Sequence, residues 1–229
     1  MSDASTTGGD ALLITIAVLG GTGKEGSGLA MRWALRGYRV IIGSRDAERA
    51  AAKAAEFNEK IGGDYLMGMS NADAAAQANL VVLSVPYDAH QSTLESVRDE
   101  LDGKILVDVT VPLMPPKVRV CYLPPAGAAA LEARDCVGPG VRIVSAFQNV
   151  SAEKMADPEA DVNCDVLVCS DDEAAKAEVF QLVEAAGMRP IDAGPLANAV
   201  AAEALTPVLL HINKKYGVKG AGIRITGLP

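Results

Sequence analysis

The stretch LITIAVLGGTGKEG, residues 13–26, decides the fold. An apolar, β-branched run suited to a buried strand passes directly into Gly20, Gly21, Gly23 and Gly26, and then into EGSGLAMRWALRG, which has helical spacing and ends at Gly37. A strand, then Gly21-x-Gly23-x-x-Gly26, then a helix is the context in which a glycine turn holds the pyrophosphate of a dinucleotide. Gly21 serves the tight turn, Gly23 the approach of backbone to phosphate, and Gly26 the packing of helix on strand. The phosphates then sit at a helix N-terminus, where unpaired N–H groups and the helix dipole favour negative charge.

Further along, short β-branched runs alternate with alanine-rich helical stretches, the pattern of βαβ units. After the first strand come YRVIIGS, NLVVLSVP, KILVDVT, VRIVSAF, CDVLVCS and a last short MRPIDAG. Helices are expected in DAERAAAKAAEFNEKIG, NADAAAQAN, DAHQSTLESVRDEL and DDEAAKAEVFQLVEAAG. In the last of these, Asp171 and Asp172 read as helix capping rather than as metal ligands. PLMPPKVRVCYLPPAG, residues 112–127, breaks the rhythm with prolines and reads as a loop or an edge hairpin beside the ligand edge of the sheet. GPLANAVAAEALTPVLLHINKKYG reads as one long apolar helix interrupted at Pro207. Its Leu205, Val208, Leu209 and Ile212 suit a core face, a subunit contact or a pocket wall. The expected fold is α/β, a Rossmann-like doubly wound, mostly parallel sheet with a small C-terminal helical segment. Its expected boundaries are residues 12–195 for the dinucleotide-binding domain and 196–229 for a segment closing the cleft or forming a dimer contact.

Composition narrows the function. The 229 residues are 49% hydrophobic but only 4% aromatic, as helices packed on a buried sheet require. A formal charge of −8 leaves no basic face for nucleic acid or an anionic membrane. Cys121, Cys136, Cys164 and Cys169 show no CxxC spacing, and the two histidines, His90 and His211, supply no metal cluster. With no signal peptide or membrane-length apolar run in view, a cytoplasmic protein is expected, with residues 1 to 11 as a loose tail. His90 reads as a surface helix residue or a proton donor, and His211 as packed or interfacial.

The second strand ends in IIGSRDAER. An NAD site places an Asp or Glu here for the ribose 2′-hydroxyl. This chain offers Ser44, Arg45 and, one turn later, Arg49, which suit a 2′-phosphate and therefore NADP; Thr22 adds a hydroxyl from the glycine loop. Two other readings stay open. Ser44 or Asp46 caps the next helix with the arginines in solvent, or Asp46 or Glu48 reaches the ribose of NAD.

At AVLGGTGKEGSGLA followed by IIGSRDAER, the sequence resembles the NADPH-dependent reductases of the deazaflavin coenzyme F420. The likeness continues through LSVPYDAH, VSAFQNVSA, VLVCSDDEAAK, PIDAGPLANA and EALTPVLLHINKKYG, from about Leu12 to Gly217. The glycine loop and GSR are shared with a wider reductase superfamily, whereas DAGPLANA with EALTP is more specific. The resemblance implies direct hydride transfer between nicotinamide C4 and deazaflavin C5, with no acid–base residue, no metal, and a small-molecule co-substrate. It places Thr22, Gly23, Lys24 and Glu25 at the phosphates and Ser44, Arg45 and Arg49 at the 2′-phosphate. Pro86, Tyr87 and Val111 fall along the nicotinamide, and Gln148, Asn149 and Ala152 between nicotinamide and deazaflavin. Tyr87 stands where the family has tryptophan and Gln148 where it has histidine; tyrosine keeps a stacking face, and glutamine hydrogen-bonds without charge. An NADP reductase of a flavin, imine or carbonyl compound, and an NADP-binding sensor without turnover, are the alternatives. A homodimer is expected from the apolar late helix.

Overall fold

The computed structural model describes residues 14–228; the expected tail at residues 1 to 11 lies outside them. Eight strands form one sheet in the order β3-β2-β1-β4-β5-β6-β7-β8. They are β1 (Thr15–Leu19), β2 (Arg39–Ser44), β3 (Leu66–Ser70), β4 (Leu80–Leu83), β5 (Ile105–Asp108), β6 (Arg142–Ser145), β7 (Asp165–Ser170) and β8 (Arg189–Asp192). All neighbours pair in parallel except β6 and β7. The helices are α1 (Lys24–Leu35), α2 (Ala47–Ile61), α3 (Asn71–Gln77), α4 (Tyr87–Val97), α5 (Ala129–Val137), α6 (Ala152–Met155), α7 (Glu173–Ala185) and α8 (Ala199–Tyr216). Among the described residues, no helix is long and apolar enough to cross a membrane.

The strand alternation of side chains divides the core in two. On one face, Ile16 and Val18 of β1 join Leu29 and Trp33 of α1 and Val179 and Leu182 of α7. On the other, Ala17 and Leu19 join Leu94 and Val97 of α4 and Ala130 and Ala133 of α5. Covered on both faces, β1 needs an unbroken apolar sequence, which is why it reads so clearly.

Three expectations change and a fourth is narrowed. Strand β3 is an addition to the expected strands: Gly68 interrupts LMGMS, yet a Cβ there would overlap the Ala50 and Ala51 backbone of α2. Helices α5 and α6 are likewise additions to the expected helices. Residues 112–127 form an irregular loop, one of the two expected readings. Helix α8 runs unbroken through Pro207. The proline costs the helix an N–H bond to Glu203, but Glu203 and Thr206, on adjacent turns, are each tied to another element, as described below.

Candidate functional site: two joined cavities at the switch point

The chain leaves β1 for β2 on one side and for β4 on the other, and this reversal opens a crevice at the strands' C-terminal ends. Leu19 is in register with Gly43 and Leu83, and Leu83 with Asp108, so Gly20, Ser44, Ser84 and Val109 leave the sheet side by side. The positive φ of the glycine turn, 76°, lies at Gly20, one residue before the expected triad. Gly21 donates its N–H to the Val18 carbonyl at 3.0 Å. A Cβ on Gly26 would stand 3.0 Å from Gly21 Cα and 3.1 Å from the Gly20 carbonyl oxygen, so α1 is seated on the turn through this glycine. Neither Gly21 nor Gly26 lines a cavity; their work is packing. Helix α1 starts after Gly23 without a side-chain cap, leaving its first N–H groups available to an anion.

Beside this N-terminus lies a pocket of about 250 Å³, to which Thr22, Ser44, Arg45 and Arg49 all contribute. Asp46 is the N-cap of α2: its Oδ1 accepts the Arg49 N–H at 3.0 Å, and the Asp46 N–H bonds Ser44 Oγ at 3.2 Å. Capping and cation clustering therefore coexist. Asn71, from the start of α3, also lines this pocket.

On the other side of the N-terminus lies a cleft of about 960 Å³. Lys24 and Glu25 enter from α1; Pro86, Tyr87 and Val111 follow strand ends; Gln148, Asn149 and Ala152 border the same space. Thr206, Leu209, Leu210 and Asn213 close it from α8, and Val218, Lys219 and Ala221 from the segment beyond. The two cavities share Gly23, Ser84, Val85 and Pro86, so they adjoin across the helix end.

Gln148 and Asn149 are aimed by unusual backbone. Phe147, before them, has φ 76°, a left-handed conformation costing about 1–3 kcal/mol in a non-glycine residue. Its buried ring meets Trp33 edge-on at 6.0 Å, and Trp33 is tied to the Leu182 carbonyl at 2.8 Å. Gln148 Nε2 donates to the Asp108 carbonyl at 2.7 Å, and the Gln148 carbonyl accepts the Thr206 hydroxyl at 2.6 Å. Asn149 commits its amide nitrogen to the Asp165 carbonyl at 2.7 Å, so its side chain braces β7.

Beneath the cleft floor is a charged cluster that sequence reasoning missed. His90 is 1% exposed rather than on the surface, and its Nε2 meets Asp108 Oδ2 at 2.7 Å. Asp108 Oδ1 also accepts the Thr110 N–H at 2.9 Å. Burial works to lower the imidazole pKa, but the charge of Asp108 and the hydrogen bond more than reverse it. Buried Glu203 of α8 accepts the Ala129 and Ala130 N–H groups at 2.7 and 3.1 Å, capping α5. Burial, with Asp108 nearby, pushes its carboxyl up to about 8. Burial likewise pushes Glu25, in the cleft, up to about 8. Tyr87 donates to Glu132 Oε2 at 3.0 Å, and burial together with this bond holds its phenol well above the usual range. His211, expected to be packed or interfacial, is exposed in the chain. No local motif marks the partners of His90: they come from β5, α5 and α8.

The sequence pattern of the family described as "NADP oxidoreductase coenzyme F420-dependent" matches residues 15–112. The F420-dependent NADP reductase of Methanothermobacter thermautotrophicus is 43% identical over 95% of this chain and 97% of its own length. That of Methanocaldococcus jannaschii is 42% identical over 93% and 98%. Among solved structures, a hypothetical protein from Sinorhizobium meliloti aligns at a TM-score of 0.67 with 25% identity, covering 82% of this chain and 88% of that one. The NADP-bound pyrroline carboxylate reductase of Plasmodium falciparum aligns at 0.58 with 16% identity, over 89% and 67%, a likeness of fold alone. Close identity along nearly the whole length, with the glycine turn and cationic pocket in place, settles the ancestry: this chain belongs to the family of F420-dependent NADP reductases.

Proposed function

We propose that the protein transfers a hydride between NADP(H) and the deazaflavin coenzyme F420. The observation that carries this reading is the pair of joined cavities: a small pocket with two arginines on one side of the α1 N-terminus, and a large cleft on the other. The pocket fits the 2′-phosphate end of NADP, the helix end its pyrophosphate, and the cleft a nicotinamide with a ring system against it. When bound, the dihydronicotinamide supplies the hydride, so the protein's task is alignment and exclusion of water. Tyr87 and Pro86 bound one end of the cleft, Gln148 is held rigid between Asp108 and Thr206, and Leu209 and Leu210 give α8 an apolar wall. We assign binding of NADP to Thr22, Gly23, Lys24, Glu25, Ser44, Arg45 and Arg49, with Gly21 and Gly26 shaping the turn that holds it, and the ring region to Pro86, Tyr87, Val111, Gln148, Asn149 and Ala152. Residues 12–195 act in this reading as the NADP-binding unit, and residues 196–229 close the cleft.

A homodimer also fits. Val120, Leu123 and Val208 are 61%, 59% and 45% exposed, and Cys121 joins their two segments through the Ala204 carbonyl at 3.3 Å. A second copy covering this ridge would bury it. Four free thiols suit a reducing compartment such as the cytoplasm.

Mixing the protein with NADPH and oxidised coenzyme F420 should bleach the deazaflavin absorbance; no bleaching at saturating NADPH overturns the proposal. Arg45→Ala should raise KM for NADPH by roughly 10- to 150-fold, the equivalent of about 1.5–3 kcal/mol for a charge-assisted bond. NADH should be nearly unaffected, and equal losses for both would remove the 2′-phosphate assignment.

A further inference from the structure

We infer that Asp165 and Arg189, which line neither cavity, are positioning residues for the hydride acceptor: they clasp residues 218–225 to the sheet as a strap, and the strap walls the space that the acceptor enters. The inference rests on the hydride-transfer reading above. After Gly217 ends α8 in a left-handed turn, φ 68°, the chain runs through residue 225 without helix or strand. Val218, Lys219 and Ala221 nevertheless line the cleft, while none of residues 218–225 lines the pocket of Arg45 and Arg49. A segment with no ladder of its own keeps its place only through partners that other elements offer its backbone.

Asp165, the first residue of β7, is fully buried and offers several of these partners. Its N–H donates to the Ile223 carbonyl at 2.9 Å, and its Oδ2 accepts the Ile225 N–H at 2.6 Å. Arg189 of β8, in register with Asp165, grips both carboxylate oxygens, at 2.9 and 2.6 Å. The same guanidinium donates to the Ile225 carbonyl at 2.9 Å, so a bidentate ion pair holds the strap on two sides. Nearer the cleft, the Ser151 hydroxyl donates to the Lys219 carbonyl at 3.0 Å, and the Ala221 N–H to Asn213 Oδ1 at 2.9 Å. Gly222 lies between these ties and the clasp, and a Cβ there would stand 2.8 Å from Cys164 Sγ. Asp165 reaches a second part of the cleft as well, since its carbonyl accepts Asn149 Nδ2 at 2.7 Å. One buried residue thus sets the strap and Asn149 in a fixed relation. Registry of this kind accounts for a buried ion pair better than stability does, because apolar residues of similar volume often stabilise a fold as well.

The test uses two variants of the full chain that loosen the strap by different means. Arg189→Met removes the bidentate grip. Gly222→Val leaves the ion pair whole and drives a side chain against Cys164, so it keeps the test open if Arg189→Met folds poorly. Hydrogen exchange of residues 218–225 reports the strap, steady-state kinetics give KM and kcat for coenzyme F420, and calorimetry gives the affinity for 2′,5′-ADP, with thermal melting to check folding. Both variants should exchange faster in the strap and raise KM for coenzyme F420 about tenfold. Binding of 2′,5′-ADP, at the far pocket, should stay within about twofold. A merely structural role would lower kcat through loss of folded protein and leave KM alone. An unchanged strap, an unchanged KM for coenzyme F420, or equal weakening of both ligands overturns the inference. If the wild type reduces coenzyme F420 and the variants keep its KM, the hydride-transfer reading stands and the clasp falls. If the wild type does not reduce it, both fall.

Discussion

Replacing His90 with leucine tests whether the buried pair beneath the cleft is a structural ion pair. Its two side chains are 2% and 0% exposed and meet at 2.7 Å. Without the imidazole, the Asp108 carboxylate keeps one backbone donor, Thr110 N–H, and faces the Glu203 carboxyl with no counter-charge. Removing one partner of a buried pair leaves an uncompensated charge and costs about 3–5 kcal/mol. For a domain of this size, about 2–4 °C of melting temperature goes with each kcal/mol. Calorimetry at pH 6 should therefore show a fall of about 6–20 °C.

The pH dependence has a definite sign. Burial opposes the charge on His90, but Asp108, with smaller contributions from Glu132 and Glu203, outweighs it, so the folded pKa lies above the ordinary 6.5. Tyr87 of the same helix stacks on the ring and stays protonated throughout. Stability from the pair is complete below pH 6.5 and fades as pH rises through the folded value. The gap between the wild type and the His90→Leu variant should thus narrow as pH rises through that folded value. Adding Asp108→Asn to His90→Leu should recover part of the loss, since the orphaned charge disappears and an acceptor for Thr110 remains. A fall below about 2 °C at pH 6, or a gap that widens with pH, would refute the reasoning.

Two other perturbations probe the glycine turn and its helix. Glu25 holds its proton up to about pH 8, so its charge develops beside the α1 N-terminus only above that pH. KM for NADPH should rise above about pH 8 in the wild type and stay flatter in Glu25→Gln, as steady-state profiles would show; parallel profiles would exclude the carboxyl. Gly28→Ala would bring a Cβ to 2.5 Å from the Met155 carbonyl oxygen, where α6 is held against α1. Overpacking of about 1–3 kcal/mol should lower the melting temperature and, through α6, the rate of hydride transfer; an unchanged melt would show that α6 yields freely.

What the sequence made legible is what local chemistry dictates. The β1 strand, the glycine turn and the Ser44, Arg45, Arg49 group lie within a few dozen residues, and each follows from short-range spacing. Strand β3 is hidden because its pattern is set by α2: Gly68 is demanded by the Ala50 backbone, not by strand propensity. The place of Asn71 in the small pocket is hidden with it, since it arises only when β3 stands next to β2. The His90 cluster is hidden more deeply. Its members are separated by up to 113 positions, counting from His90 to Glu203, and each alone looks like an ordinary surface residue. Pro207 misleads because the rule that proline ends helices is local, whereas the anchoring of Glu203 to α5 and Thr206 to Gln148 is not.

The competition between capping and cofactor binding at IIGSRDAER resolves in a way that favours NADP. Asp46 is the acidic residue best placed after β2 to take a ribose diol, as an NAD site would require. Its Oδ1 instead accepts the Arg49 N–H at 3.0 Å, in an extended N-cap conformation that starts α2. That bond fixes the first turn, and the first turn is what carries the Arg49 side chain to the pocket shared with Ser44 and Arg45. The cap is thus the support of the proposed phosphate site. A carboxylate turned toward the ribose would place a negative charge against a 2′-phosphate, whereas the cap draws one of its oxygens to the α2 N-terminus. The geometry of Asp46 takes the side of the phosphate.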